Sequence, residues 1–294
     1  MTEDARERCG VVEPGPHLAN VGRLRLKVGR GTVALAGYEL LPVDADVPAE
    51  PTVARVVAEL KAGIEATYGD RVFSREVAEA RHDLPMLPRG KGPFADAAAG
   101  NLVTDAFRAA GGTDAALTST GFLSEGIARG SLVPADLFRV VSYGFDAGTG
   151  LGFRLVTCRV SAEALATILE IGVAGPGPED AFFPHVSGLR FAYDSARPPF
   201  ARVDPASVRV GSEPLDPSRF YTLTLNEAIA FFLGSLGVAL EDVAPLDAFE
   251  YTALLAHVEA MNGIVDVRSE GRIRDRTARR ATPAGGPVPD PRSR

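Results

Sequence analysis

Apolar and basic residues alternate through residues 21–28 (VGRLRLKV), and a β-type pattern resumes after Gly29–Arg30–Gly31 in TVALAGYELL. Period two on both sides of a glycine turn predicts a hairpin over 21–41. A lone hairpin is marginal in water, so this segment needs a larger sheet to join. A proline- and acid-rich connector, Pro42–Pro51, leads into residues 52–67. There Val53, Val56, Val57, Leu60 and Ile64 recur at helical spacing and predict a helix. Three prolines and two glycines make 84–93 a loop.

The pattern then becomes denser. Asn101–Ala110 reads as a helix with Leu102, Val103, Ala106 and Phe107 on one side and Gly111–Gly112 as its stop. Strands are predicted at Asp114–Thr118, Phe153–Val160, Gly188–Tyr193, Ser207–Val210 and Tyr221–Leu225. Short helices are predicted at Pro134–Val140, Ser161–Ile171 with Ser161 as N-cap, Asn226–Leu233 and Ala248–Met261. Glu213–Pro217 (EPLDP) reads as a turn, and from Thr277 the chain is Pro-, Gly- and Arg-rich and is expected to be disordered. Several strand-to-strand connections among the helices favour an α+β class, a mixed β-sheet with flanking helices.

Composition narrows the chemistry. The net charge is −7, while residues 272–294 hold seven Arg against two Asp, so the body is more acidic than the total. An acidic body argues against nucleic acid as a partner. No apolar run is long enough for a membrane span, and Met1–Gly10 has no signal-peptide core. Cys9 and Cys158 form no disulfide framework, and the four histidines are scattered, which argues against a histidine-rich metal centre in this chain. Cys158, mid-strand, is expected to be a buried apolar residue. Gly148–Gly152 is glycine-rich but leads into a strand, so it aims no helix N-terminus at a phosphate.

Four blocks occur in one order: GNLVTDA at Gly100–Ala106, DAALTSTG at Asp114–Gly121, VSGLRFAYD at Val186–Asp194 and PLDPSRFYTLT at Pro214–Thr224. Together they resemble the C-terminal domain of 5′-nucleotidases. The resemblance implies that domain's fold over 94–274. A hairpin remnant of a metallophosphoesterase domain would lie in 1–50, a linker in 51–93 and a disordered basic tail in 275–294. In such enzymes the C-terminal domain binds the nucleoside part, and a separate domain carries two metal ions and hydrolyses the phosphoester. The D-x-H and G-N-H-[DE] motifs of that catalytic domain are absent here. One histidine near its expected end, His17, cannot hold two metals. This chain is therefore expected to be inactive alone, with no cofactor of its own. Divalent metals are expected only on the catalytic domain. Its partners would be a nucleoside or nucleotide and a metallophosphoesterase chain. The family is usually periplasmic or secreted.

The same resemblance nominates site residues. The family's N-x-G-G-[IV]-R loop falls on Ser119–Ser124, so Ser119 and Ser124 stand where the family has Asn and Arg. Gly121 is kept, and Phe122 replaces a glycine. A serine still hydrogen-bonds but brings no charge. Arg129 lies five residues beyond the lost Arg, and the nearest bases to a second family Arg are Arg89 and Lys91. Tyr143 aligns with the first stacking aromatic. The second sits in a G-G-D-G-[FY] motif that is missing here, where Phe231 or Phe232 would stand in, although AIAFFL also reads as a helix core. The scaffold is retained while the charged anchors are lost. The alternative is a non-catalytic small-molecule-binding or interaction module with a remodelled pocket.

Overall fold

The structure is a computed structural model that describes residues 2–4, 9–15, 18–44, 46–69, 71–87, 96–144, 146–177 and 180–277. His17, Arg89, Lys91 and the basic tail beyond Thr277 lie outside the described residues. The chain divides into two units, 1–69 and 70–294.

In the first unit, β1 (Thr2–Asp4) pairs with β2 (Cys9–Val11), and β3 (Asn20–Gly29) pairs antiparallel with β4 (Thr32–Pro42). The hairpin turns at Arg30–Gly31, where Gly31 has φ +75°, a conformation that favours glycine. It remains a two-stranded sheet, and Leu24, Leu26, Val28, Val33 and Leu35 on it are all exposed. Helix α1 (Pro51–Tyr68) is capped by the Glu50 carboxylate, which accepts from the Val53 amide. The expected apolar stripe is present, yet α1 buries no residue.

In the second unit, strands β5 (Ala78–Ala80), β6 (Ala115–Ser119) and β7 (Gly130–Leu132) flank α2 (Ala98–Gly111), and α3 (Pro134–Val140) follows. Next come β8 (Arg154–Ser161), α4 (Ala162–Gly172), β9 (Pro184–Ser187) and β10 (Leu189–Tyr193). They lead to β11 (Arg209–Val210), β12 (Glu213–Pro214), β13 (Phe220–Asn226) and α5 (Glu227–Ser235). The last elements are β14 (Glu241–Phe249), α6 (Glu250–Glu259), β15 (Ile264–Val265) and β16 (Ile273–Asp275). A mixed five-stranded sheet, β14-β8-β13-β6-β9, is the frame. β13 runs parallel to β6 and antiparallel to β8. Smaller sheets, β12-β11-β10-β16 and β15-β5-β7, complete an α+β architecture.

Alternation along the strands sends side chains to opposite faces. Val156, Cys158, Val160, Tyr221, Leu223 and Leu225 join a core with α4 and α5. Ala116 and Leu155 join a second core with α2, α3 and α6. Helix α4 starts as expected, with Ser161 Oγ accepting from the Ala164 amide at 3.1 Å. It buries Leu165, Ile168 and Leu169, each contributing about 1.5–3 kcal/mol. Helix α2 ends at Gly112 in the left-handed conformation, the expected glycine stop. Cys158 is buried, and burial pushes its thiol up to about 11.

Some elements differ from expectation. Glu213–Pro214 pairs as a short strand rather than turning, and Pro205–Ser207 is a 3₁₀ turn ahead of β11. β14 occupies an acidic stretch with a proline that had no strand signal. It is an edge strand with register shifts, where proline is tolerated.

Candidate functional site

Where β6 and β13 end, side by side and parallel, their following segments enclose a cavity of about 310 Å³. Ser119, Gly121 and Phe122 come from the end of β6 and the turn after it, and Tyr143 from the loop after α3. Ile168 and Ile171 come from α4, Phe182 and Pro184 from the entry to β9, and Ile229, Phe232 and Leu233 from α5. Among the described residues, the lining carries no Asp, Glu, Lys, Arg or His. Its polar side-chain groups are the Ser119 and Tyr143 hydroxyls. The volume is at the small end of ligand pockets.

The aromatic rings form two sets. Phe182 and Phe232 stack at 5.1 Å with 14° between their planes. Phe122 meets Tyr143 edge-on at 5.5 Å and Phe153 at 5.7 Å. Tyr143 is 65% exposed, so a face of its ring is open. Gly121 is required by a close approach: its amide donates to the Ala181 carbonyl at 2.8 Å, and a Cβ there would sit 2.9 Å from Ala181.

The candidates therefore separate. Ser119, Gly121, Tyr143 and Phe232 come together at the cavity. Ser124 does not line it; its amide donates to the Val140 carbonyl. Phe231 is 81% exposed and points away from the lining, while Ile229, Ala230 and Leu233 form the helix core. Arg129 is also outside, its amide donating to Asp83. Phe182 was not anticipated. The Phe182–Phe183 pair shortly before the third motif was its sequence signal, but β9 was not recognised there. Among the described residues, no group of three or more His, Cys, Asp or Glu side chains is placed to hold a metal ion.

Glu250, at the start of α6, lies outside the lining and braces segments next to it. Its Oε1 accepts from Asn226 Nδ2 at 2.8 Å and its Oε2 from the Phe153 amide at 3.1 Å. Asn226 Oδ1 in turn caps α5 through the Ile229 amide. One carboxyl thus ties α5 to the segment that carries Phe153. Burial pushes this carboxyl up from 4.5 to about 7, against the two hydrogen bonds. Through that interval the folded state holds a proton the unfolded chain has released, so stability falls as pH rises from 4.5 to 7. Fully buried His185, pushed down to about 4 by burial, works the other way between 4 and 6.5. Urea unfolding across this range, for wild type and Glu250→Gln, separates the two groups. The wild-type stability minus the variant's should fall by about 3 kcal/mol from pH 4.5 to 7. Parallel curves would remove Glu250 from the titration.

The profile of the "5'-nucleotidase, C-terminal domain" matches residues 76–231. No curated protein matches the chain. Among solved structures, a 5'-nucleotidase precursor from Thermus thermophilus is similar at TM-score 0.67 and 24% identity, over 87% of this chain and 50% of that one. The sulfate thiohydrolase SoxB of the same species gives 0.59 and 22%, over 87% and 44%. The NAD nucleotidase of Haemophilus influenzae gives 0.55 and 13%, over 87% and 53%. At these identities the likeness is one of fold, and the chain spans about half the length of these relatives. The profile covers more than half of the sequence, and the chain belongs to the 5'-nucleotidase C-terminal domain family.

Proposed function

We propose that the second unit recognises the base and sugar of a nucleoside or nucleotide for a phosphoester hydrolase, and performs no hydrolysis itself. The observation that carries this reading is the uncharged cavity edged by Phe122, Tyr143, Phe182 and Phe232. The open face of Tyr143, beside the stacked Phe182–Phe232 pair, suits a flat heterocycle and discriminates weakly between bases. Without a guanidinium in the lining, the pocket contributes little to phosphate binding. Hydrolysis belongs to a dimetal metallophosphoesterase domain, whose motifs this sequence does not contain. The exposed apolar residues of the β3–β4 hairpin and α1 support the docking of such a partner on the first unit.

Thermal unfolding with adenosine, AMP and UDP-glucose tests the pocket. A ligand at about 100 times its Kd stabilises the fold by about 2.7 kcal/mol, a shift of several degrees. Adenosine and AMP should give equal shifts, because among the described residues no charged side chain lines the cavity. Tyr143→Ala and Phe232→Ala should each weaken binding by about 1–3 kcal/mol through lost stacking. No shift with any of the three ligands overturns nucleoside recognition. It would leave the second reading, a binding module remodelled for another small apolar molecule, which the uncharged lining favours.

A further inference from the structure

We propose that the cleft on the outer side of β10 and β16 is a binding site for a polyvalent phosphoanion, such as pyrophosphate or the diphosphate end of a nucleotide. It is separate from the apolar cavity and shares no lining residue with it. The two strands run parallel with Ala192 opposite Arg274, and alternation puts Arg190 on the same face as Ala192. The small side chain of Ala192 leaves a floor between the longer ones. Arg197, Arg202 and Arg276 close the sides of a space of about 840 Å³.

Three aspartates share this lining with the five arginines, but each has an oxygen engaged by backbone amides. Asp194 Oδ1 accepts from the Ala196 amide and Thr277 Oγ1, and Asp275 Oδ1 from the Ser195 and Thr277 amides. Asp204 accepts from the Ala206 amide and pairs with Arg276. The lining is left with two more positive charges than negative.

Arg202 and Arg274 are also held in place. Arg202 donates through Nε to the Arg197 carbonyl and through Nη1 to the carbonyls of Val173 and Gly175, with Nη2 remaining. Arg274 is tethered through Nε to the Gly271 carbonyl, which leaves its two terminal nitrogens. Arg190 has one loose contact, to Glu270 at 3.9 Å. Arg197 has no side-chain partner among the described residues. Forks fixed before binding lose less entropy on binding. A planar carboxylate satisfies one fork, whereas phosphate oxygens point in several directions and can engage forks from both strands and the 197–202 turn.

Isothermal titration of the full chain with pyrophosphate, ADP and succinate at matched ionic strength tests this. Pyrophosphate should bind with a submillimolar Kd, and succinate at least about ten-fold more weakly. Arg197→Ala/Arg274→Ala should weaken pyrophosphate by about ten-fold or more and keep the wild-type melting curve. If the double variant fails to fold, Arg197→Glu alone should weaken binding, since among the described residues that exposed side chain holds no hydrogen bond or ion pair that the fold would lose. ADP weakened in parallel supports recognition of the diphosphate in nucleotides. ADP unaffected while pyrophosphate weakens supports a site for the free anion and assigns ADP to the apolar cavity. The proposal is overturned if pyrophosphate does not bind, if variants with the wild-type melting curve bind it equally, or if succinate binds as tightly. Binding confined to a long polyanion such as single-stranded RNA overturns it as well. Loss of nucleoside binding at the apolar cavity would not touch this result.

Discussion

Asp105→Ala should destabilise the second unit by about 3 kcal/mol, lowering its melting point by roughly 6–12 °C. Asp105 lies in the GNLVTDA block on α2. Both its oxygens accept from Arg272, from Nη1 and Nη2 at 2.8 Å each, and Ser187 Oγ donates to Oδ1 at 2.6 Å. Arg272 also donates to the Val186 carbonyl, so the pair joins α2 to β9 and to the approach to β16. The Arg272 side chain is only 8% exposed. Removing the carboxylate strands a buried guanidinium with Glu270 as its remaining anion, and an uncompensated buried charge is costly. The Arg159–Asp242 pair is the control. It has a similar 2.9 Å contact but side chains 44% and 68% exposed, so Asp242→Asn, which suits the left-handed backbone at φ +51°, should cost less than about 1 kcal/mol. Chemical unfolding of both variants checks the contrast, and equal losses would refute the structural reading of Asp105.

That contrast bears on what the sequence made legible. The motif blocks located the fold because their residues are structural. Asp105 grips Arg272, and Asp114 accepts from the Thr222 amide and hydroxyl, tying the start of β6 to β13. Long periodic elements such as the 20–42 hairpin, α1 and α4 were readable because period and capping agree within one segment. β5, β9 and β16 were not, since three- or four-residue strands such as AEA, PHVS and IRD carry too few positions to show a period. Part of the candidate site was legible by a different route. The family resemblance nominated Tyr143, Ser119 and Gly121, which the structure brings together at the cavity. Phe182 was hidden ahead of an unrecognised strand. Which of two adjacent phenylalanines enters the cavity depends on the rotation of α5, and its buried Ile229 and Leu233 turn Phe232 inward and Phe231 out. Glu250 gave no signal because its role comes from two partners, Phe153 and Asn226, distant in sequence.

Gly100→Ala is expected to be among the most disruptive single-methyl substitutions in the molecule. A Cβ built on Gly100 falls 2.1 Å from His185 Nδ1 and 2.2 Å from its Cγ. The ring cannot easily yield. His185 is fully buried, with Nε2 3.2 Å from Thr120 Oγ1 and its ring 6.4 Å edge-on to Phe183. The helix cannot easily retreat either, because at its other end Gly111 admits the Thr224 hydroxyl to 2.0 Å of where a Cβ would lie. Overpacking at such a contact typically costs about 1–3 kcal/mol, and two fixed partners put this site at the upper end. The loss should exceed the about 0.5–1 kcal/mol by which alanine normally favours a helix interior over glycine. A double-mutant cycle with His185→Ala identifies the cause. His185→Ala alone opens a cavity and destabilises, but in its background the added methyl has room, so the double variant should be more stable than the sum of the single losses predicts. Strict additivity would mean that the glycine is required by something other than the ring. The first residue of the motif is thus explained by close packing between α2 and β9, which holds the sheet end where the candidate pocket opens.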